Sequence, residues 1–353
     1  MVKTRDKYDF FAKKSKIHSL QSKHIIFTST RWSIQTVANT IPDSIDIIDG
    51  HYFFEGRAAA YLIRDGEEAA FVDNITQFSI PYLLETLEKR GLSPEQVRYA
   101  IITHIHLDHS GGTAELVKHC PNATVLCHPR AARHIIDPTR LEQSARPIYG
   151  DEAFDKLYGT IDPVDEKRVR IMEDGDSVAL GNRTLTFHDS PGHARHHHVI
   201  HDSATHSVFA GDAFGTAYAQ LQHGSKPFMN YVCAPPEFDP EAAASTIQRI
   251  VDLNPEHVWT THFGAVPDIA YGAEQQLRSV EKFAALSKRA AESDLMDEAL
   301  QDYCNHECYN IIRDELSIAG LDMTNAQVYK WSTTELNVTS QGVAVLAQRI
   351  RKQ

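Results

Sequence analysis

Residues 103–112, THIHLDHSGG, carry four candidate metal ligands within six positions, and an apolar run at residues 99–103 leads into them. The four are His104, His106, Asp108 and His109. Side chains two residues apart point to different faces of a helix, so His104 and His106 converge only if the segment is not helical. We therefore predict a buried strand that ends in a non-helical loop bearing all four side chains. Burying these groups together is costly unless a cation neutralises them.

Three later segments place a histidine or an aspartate beside a glycine at the end of an apolar run. They are His193 after residues 184–187, Asp212 after residues 207–210 and His262 after residues 257–261. If the strands of a sheet end at the same edge, these side chains meet the first four there. Nitrogen and oxygen ligands of this kind suit two divalent ions such as Zn, Fe or Mn rather than a thiolate site.

The pattern of predicted elements divides the chain into three parts. Residues 1–44 are polar and weakly patterned, and we interpret them as an N-terminal extension. Residues 45–268 alternate strands and helices and begin with a β-meander. Residues 269–353 are predicted to be mainly helical, and their apolar faces line the pocket or form a homodimer interface. The predicted fold is an α/β layered core with a helical C-terminal module.

Four local predictions within this pattern are specific enough to be tested individually. Residues 51–54 are predicted as a strand of the meander, and residues 137–170, which are charged and contain three prolines, as an irregular insertion. Near the C-terminus, residues 295–303 and 309–316 are predicted as separate helices, and residues 342–351 as the last one.

Composition and charge exclude several classes of protein. The formal net charge of −12 argues against a nucleic-acid partner, because such proteins concentrate Lys and Arg on one face. No stretch approaches the roughly 18 apolar residues of a membrane-spanning helix, and residues 1–20 have no apolar signal region. The five cysteines form no paired framework. We expect a cytoplasmic protein with reduced thiols that acts on a small molecule and not at a membrane.

The ordered set of motifs resembles the metallo-β-lactamase superfamily across residues 45–268. The first histidine loop, SPGHARHH at 190–197 and FAGDAF at 209–214 are similar to that family's ligand segments. AAFVDNI at 69–75 is similar to its early Asp-Thr-Gly strand end, although Asn74 and Ile75 depart from the usual pair. The resemblance implies an αββα sandwich with a dinuclear metal site.

Residue roles follow from this resemblance. The first metal would be held by His104, His106 and His193, the second by Asp108, His109 and His262, and Asp212 would bridge the two. Two ions about 3.5–4 Å apart share a water and lower its pKa toward 7. Asp108 is the expected catalytic residue, since it could orient the resulting hydroxide or pass on its proton. Asp73 and His197 are expected to support the ligands by hydrogen bonds.

The remaining candidates are weaker. Tyr218, His223, Tyr231 and Tyr149 lie in loops near ligand segments and could bind substrate or pack in the core. His196 and His198 are expected to be surface or packing residues. Cys304 and Cys308 could converge on a helix, but no second ligand pair accompanies them, so we interpret them as core thiols.

The predicted function is a dinuclear metallohydrolase that uses a metal-bridging hydroxide on a small-molecule ester, thioester or lactone, with zinc as the expected metal. This assignment follows the resemblance to the glyoxalase II-like and lactonase-like branches. A phosphodiesterase of the same fold is disfavoured by the net charge. A di-iron redox or oxygen-binding protein is the alternative from another class, but flavodiiron-type members carry Glu where this chain has His106. A metal-loaded binding protein with little turnover is the third alternative.

Overall fold

The computed structural model describes residues 41–352, so most of the predicted extension at residues 1–44 lies outside the described residues. Six strands form the first sheet in the order β1-β2-β3-β4-β5-β6. They are Ile45–Asp49 (β1), Ala59–Asp65 (β2), Glu68–Val72 (β3), Val97–Ile101 (β4), Thr124–Cys127 (β5) and Val169–Ile171 (β6). The first three are antiparallel, and β3 to β6 run parallel.

The second sheet has the order β12-β11-β10-β9-β8-β7. Its strands are Ser177–Leu180 (β7), Arg183–Asp189 (β8), His198–Asp202 (β9), Ser207–Gly211 (β10), His257–Thr260 (β11) and Gly264–Ala265 (β12). All neighbouring pairs are antiparallel except β10 and β11, which run parallel.

Helices cover the outer faces of both sheets. They are Ile80–Lys89 (α1), Leu107–Ser110 (α2), Thr113–His119 (α3), Pro129–Ile136 (α4), Thr139–Tyr149 (α5), Asp151–Tyr158 (α6), Pro240–Asp252 (α7), Ile269–Glu292 (α8), Asp297–Ile318 (α9) and Ala326–Ile350 (α10). No helix within residues 41–352 combines the length and the apolar character needed to cross a membrane.

The two sheets pack face to face over an aromatic core. Tyr61 lies 5.3 Å from Phe209 and 5.9 Å from Trp259 between ring centroids, and all three side chains are buried. Successive residues of a strand point to opposite faces, so Leu62 points away from this core and packs with Leu83 of α1. The first sheet is thus buried on both faces. The predicted layered α/β fold with a helical C-terminal region is confirmed.

The C-terminal helices share one hydrophobic core with the outer face of the second sheet. Val208 of β10 belongs to the same buried cluster as Ile247 of α7, Phe283 of α8 and Val343 of α10. Because this core is continuous, the helices α8 to α10 are anchored to the sheet that carries Asp212 and His262 at its strand ends.

The strand predicted at residues 51–54 is wrong. These residues form bends and turns, with positive φ angles of 52° at His51 and 59° at Phe53. The Asp49 side chain accepts hydrogen bonds from the backbone N–H of His51 at 2.9 Å and of Gly56 at 2.7 Å. These bonds close the segment into a compact loop, which an alternating apolar pattern does not reveal.

Residues 137–170 are not an irregular insertion, because α5 and α6 lie within them. The prolines suggested irregular structure, but both are compatible with α5. Pro138 precedes the first turn of the helix, where a missing N–H costs nothing, and Pro147 lies near its end. Gly150, with a φ of 79°, separates the two helices. The sequence pattern also missed the short edge strand β6.

The two helices predicted over residues 295–316 are one continuous helix, α9, and the last helix begins much earlier than predicted, at Ala326. Leu300, Cys304, Cys308 and Ile312 are all buried, and a spacing of four residues keeps them on one face of α9. Polar residues between them on the other faces obscure the helix in the sequence. All five cysteines are free and buried, and Cys304 and Cys308 are core thiols as predicted.

Phe209→Ala should lower the free energy of unfolding by about 3–5 kcal/mol, because it leaves a cavity between the two sheets. Urea unfolding of the variant and the wild type measures the difference. Ile171→Ala, at a side chain that is 48% exposed on β6, is the control and should change stability by less than about 0.5 kcal/mol. Equal effects of the two substitutions would contradict the packing described above.

Candidate metal centre

The seven side chains predicted as ligands lie together where strands of both sheets end. They form three groups: His104, His106 and His193; His104, His109 and Asp212; and Asp108, His109 and His262. Within each group the potential ligand atoms all lie within 4.8 Å of one another. His104 and His106 follow β4, Asp212 follows β10, and His262 follows β11. The strand ends therefore bring all seven residues to one place, although three of them are far from the other four in the sequence.

The histidine loop changes from extended to helical backbone within the segment, which the sequence did not predict. His106 is extended, with a φ of −61° and a ψ of 144°, whereas Asp108 and His109 lie in α2 and not in a non-helical loop. The His106 carbonyl accepts the backbone N–H of His109 at 3.0 Å and starts this helical turn. A Cβ at Gly111 would lie 2.5 Å from the Leu107 carbonyl oxygen, so only glycine fits after the turn.

Hydrogen bonds on the outer side of three imidazoles determine how the rings face. Nδ1 of His193 donates to the Val232 carbonyl at 3.0 Å, and Nδ1 of His262 donates to the Arg57 carbonyl at 2.7 Å. Nδ1 of His109 lies 2.8 Å from Oδ2 of Asp73. A proton held at Nδ1 leaves Nε2 as the free lone pair, and each of these Nε2 atoms faces the cluster.

The ligand atoms on the inner side of the cluster are placed to bind a cation and form few hydrogen bonds with one another. His109 Nε2 and Asp212 Oδ1 are buried and have no hydrogen-bond partner. His109 Nε2 and His193 Nε2 each lie 3.4 Å from Asp212 Oδ2, and His262 Nε2 lies 3.7 Å from Asp212 Oδ1. Buried polar atoms without partners are costly unless something binds them. Asp212 reaches ligands of both metal groups, which is the arrangement that a bridging carboxylate requires.

The nitrogen atoms of the first group of candidate ligands lie even closer together. His106 Nδ1 lies 2.8 Å from His104 Nε2 and 3.1 Å from His193 Nε2. Burial lowers the pKa of His104 and His106 well below the usual value, and the neighbouring imidazoles lower it further. Burial also lowers the pKa of His193. These rings are therefore neutral, which is the form that binds a metal.

The carboxylates of the cluster stay ionised despite their burial. Burial alone would raise the pKa of Asp212 and of Asp108, but His109 and His262 hold both below the usual value. Within residues 41–352, no Lys or Arg forms an ion pair with either carboxylate. The positive charge that this site requires must come from protonated histidines or from bound metal ions.

Asp73 connects the ligand loop to both sheets. It accepts hydrogen bonds from the backbone N–H of Thr103 at 2.9 Å and from the Thr261 hydroxyl at 2.8 Å, in addition to its contact with His109. His197 Nε2 accepts the backbone N–H of Asp212 at 3.2 Å. Both residues thus contact the candidate ligands, in the positions expected of supporting groups.

The other histidines predicted near the site differ in their surroundings. His198 is buried and its Nε2 donates to the Ile102 carbonyl at 2.8 Å, so it is a packing residue. His196 lies 5.4 Å from His106 between ring centroids and pairs with Glu237 at 3.3 Å. Cys304 and Cys308 belong to none of the candidate metal groups in the described part of the chain.

The four predicted substrate contacts have different surroundings. Tyr218 lies 6.1 Å from His262 between ring centroids, but its hydroxyl donates to Glu335 at 2.7 Å. Tyr231 is buried, and its burial, with the nearby Cys233 and Asp212, raises its pKa well above the usual value. His223 is exposed. Tyr149 packs 5.3 Å from Tyr158 between ring centroids.

Sequence reasoning missed the groups that hold the ligands from outside. His262 binds the Arg57 carbonyl, and His193 binds the Val232 carbonyl. Asp73 binds the Thr261 hydroxyl. In each pair the two partners are distant in sequence. A backbone carbonyl carries no residue-specific signal, so no motif could have identified these contacts.

The family model of the metallo-beta-lactamase superfamily matches residues 54–268. The chain belongs to the metallo-β-lactamase superfamily. Two solved structures of this superfamily have the same fold. ST1585 from Sulfolobus tokodaii has a TM-score of 0.59 at 20% identity, covering 85% of this chain and 98% of that one. TTHA1429 from Thermus thermophilus has a TM-score of 0.56 at 17% identity, covering 82% and 94%.

Relatives in this superfamily have different activities. The chain is 27% identical to human acyl-coenzyme A thioesterase MBLAC2 over 184 residues, which cover 49% of this chain and 64% of that protein. It is 26% identical to the coenzyme F420H(2) oxidase of Methanothermobacter thermautotrophicus over 231 residues, which cover 57% of this chain and 50% of that protein. The superfamily therefore contains both hydrolases and oxidoreductases.

Asp73→Asn should weaken metal binding by about 10–100-fold, because the amide no longer offers His109 and the two threonines a pair of carboxylate oxygens. Competition with a chelator measures the affinity. Asp202→Asn is the matched control. Asp202 is also buried, but its partner is Arg183 of β8, at 2.7 Å, and not a candidate ligand. A similar loss of affinity in both variants would show that the effect is general destabilisation.

Proposed function

We propose that this protein is a dinuclear metal-dependent hydrolase that cleaves a small-molecule thioester. The observation that carries the proposal is the seven-residue cluster, in which Asp212 contacts candidate ligands of both metal groups. One ion would be held by His104, His106 and His193, the other by Asp108, His109 and His262, with Asp212 shared. Zinc is the proposed metal, and Fe and Mn suit the same ligands.

Two bound divalent ions would polarise the scissile carbonyl and lower the pKa of a shared water toward about 7. The side chain of Asp108 is 24% exposed, against 8% for Asp212, so it is the carboxylate that faces the opening of the site. Its Oδ2 lies 3.3 Å from His262 Nε2. From this position Asp108 orients the attacking water, takes its proton and passes it to the leaving group.

The thioester class is supported by two relatives. The human relative is named as an acyl-coenzyme A thioesterase. A hydroxyacylglutathione hydrolase from Pectobacterium carotovorum is 26% identical over 135 residues, which cover 38% of this chain and 39% of that protein. Both names describe acyl groups carried by a thiol cofactor. Esters and lactones undergo the same attack at a carbonyl carbon, so they belong in the same substrate panel.

A di-iron redox protein is the alternative from another class, since a nitric oxide reductase of Moorella thermoacetica is 30% identical over 132 residues. His106 favours the hydrolase. It completes a set of three neutral imidazoles with His104 and His193, whereas a glutamate there would add negative charge. Neutral ligands leave a metal ion more electrophilic, which suits the polarisation of a carbonyl. Phosphodiester cleavage is disfavoured by the net charge of −12.

The direct experiment combines metal analysis with a substrate panel. Protein purified without added metal is analysed for Zn, Fe and Mn and assayed on acyl-coenzyme A, acyl-glutathione, lactone, ester and phosphodiester substrates. The proposal expects the highest kcat/KM on a thioester and no reduction of oxygen or nitric oxide. Iron content together with oxygen or nitric oxide reduction, without thioester cleavage, would establish the redox alternative.

The fully loaded protein should contain about two metal ions per chain. His109→Ala should release the ion held with Asp108 and His262, and His193→Ala should release the other. Elemental analysis after dialysis against a weak chelator measures both. A single ion in the wild type that is unaffected by His109→Ala would contradict a dinuclear centre.

Asp108→Asn should lower kcat by at least about 10²-fold when it is assayed at metal concentrations that keep both ions bound, because the amide oxygen can still serve as a ligand but cannot handle the proton. Turnover and metal content are measured on the same sample. Asp155→Asn, at a 61% exposed side chain on α6, provides the control and should behave as the wild type. Nearly normal turnover of a doubly loaded Asp108→Asn variant would remove Asp108 from the reaction.

A further inference from the structure

A buried charge pair joins the two ends of the described chain. Arg57 Nη2 lies 2.5 Å from Oε1 of Glu335 on α10, and only 5% and 7% of the two side chains are exposed. Within a protein, the cost of desolvating such a pair offsets much of the attraction, so stability alone is a weak explanation for it. The contacts around the pair indicate a second role, which is to hold a metal ligand in place.

Both partners of Glu335 belong to segments that hold the candidate ligand His262. The Arg57 carbonyl accepts Nδ1–H of His262 at 2.7 Å. The backbone N–H of Ala217 donates to the His262 carbonyl at 2.5 Å. The next residue, Tyr218, donates its hydroxyl to Glu335 Oε1 at 2.7 Å. His262 is therefore held from both sides by segments whose side chains meet at a single carboxylate.

Further contacts make this arrangement compact. The Arg57 guanidinium lies 4.7 Å from the centre of the Tyr218 ring, which in turn lies 5.0 Å from Trp331 of α10. Trp331 also contacts Phe54 in the loop before Arg57, at 4.9 Å between ring centroids. One turn of α10 thus contacts both segments, by aromatic packing at Trp331 and by charge at Glu335.

We propose that Glu335 is a positioning residue for His262, through which helix α10 sets the affinity of the metal held by Asp108, His109 and His262. Glu335 does not touch the metal ligands; it acts by fixing the Arg57 carbonyl and the backbone at Ala217. The inference rests on the proposed metal centre, and it assigns to the C-terminal helix a role in completing that centre.

Glu335→Gln tests the inference, because it keeps the shape of the side chain and an acceptor for Tyr218 but removes the charge that holds Arg57. The affinity of the ion assigned to His262 should fall by about 10–100-fold, while the other ion stays bound. Stepwise titration of the metal-free protein with zinc against a chelator measures both affinities without turnover. The ion lost in His109→Ala identifies the affected site.

Glu315→Gln is the matched control. Glu315 is a buried carboxylate on α9 that pairs with Arg278 at 2.6 Å and Lys282 at 2.7 Å, and it has no contact with the cluster. It should lower stability without changing either metal affinity. An equal loss of affinity in the two variants, or equal loss at both metal sites in Glu335→Gln, would overturn the positioning role.

Tyr218→Phe provides a milder variant that removes only the hydroxyl bound to Glu335, and it decides the question if Glu335→Gln does not fold. It should weaken the same ion by a smaller factor. Unchanged affinities in both Tyr218→Phe and Glu335→Gln would refute the inference while leaving the metal centre intact. A wild-type protein that binds no metal would instead refute the proposed function.

Discussion

Three aspartates lie in the interior of this protein at a point where no lysine or arginine neutralises them. Within residues 41–352, Asp73, Asp108 and Asp212 form ion pairs only with histidines. Moving an unpaired carboxylate out of water costs several kcal/mol, so the cluster requires positive charge. Although burial would lower the pKa of His109, Asp212 and Asp73 raise it well above the usual value, which favours a proton on this imidazole when no metal is bound. A metal ion would replace that proton.

The cluster forms only if the strand ends of the two sheets lie next to each other. Asp73 follows β3, and it binds Thr103 after β4 of its own sheet and Thr261 after β11 of the other. A second contact, from the Tyr61 hydroxyl to the Thr260 carbonyl at 2.5 Å, joins the sheets one residue earlier. The aromatic core between the sheets therefore affects the geometry of the site indirectly. Its packing sets the separation between the strand ends that carry the candidate ligands.

Sequence reasoning selected seven candidate ligands that the structure brings together, because each lies in a short segment with its own signal, an apolar strand followed by a histidine or aspartate and a glycine. The layered fold followed from the same alternation of strands and helices. It failed where the deciding contact was elsewhere in the chain. The loop at residues 51–54 is closed by Asp49, and the partner of Arg57 is 278 positions away. Such contacts depend on tertiary packing, and local propensity contains no information about them.

The C-terminal helices illustrate what this packing adds. The sequence left open whether they line the pocket or form a dimer interface, and their apolar faces are consistent with either role. In the structure, Glu335 of α10 binds the side chains of Arg57 and Tyr218. The Arg57 carbonyl in turn binds His262. If α10 favours the metal-binding position of His262, then by linkage metal binding must favour the docked position of α10 by the same free energy. Under that proposal the superfamily core and its C-terminal helices form one thermodynamic unit, and a bound metal would contribute to the stability of both.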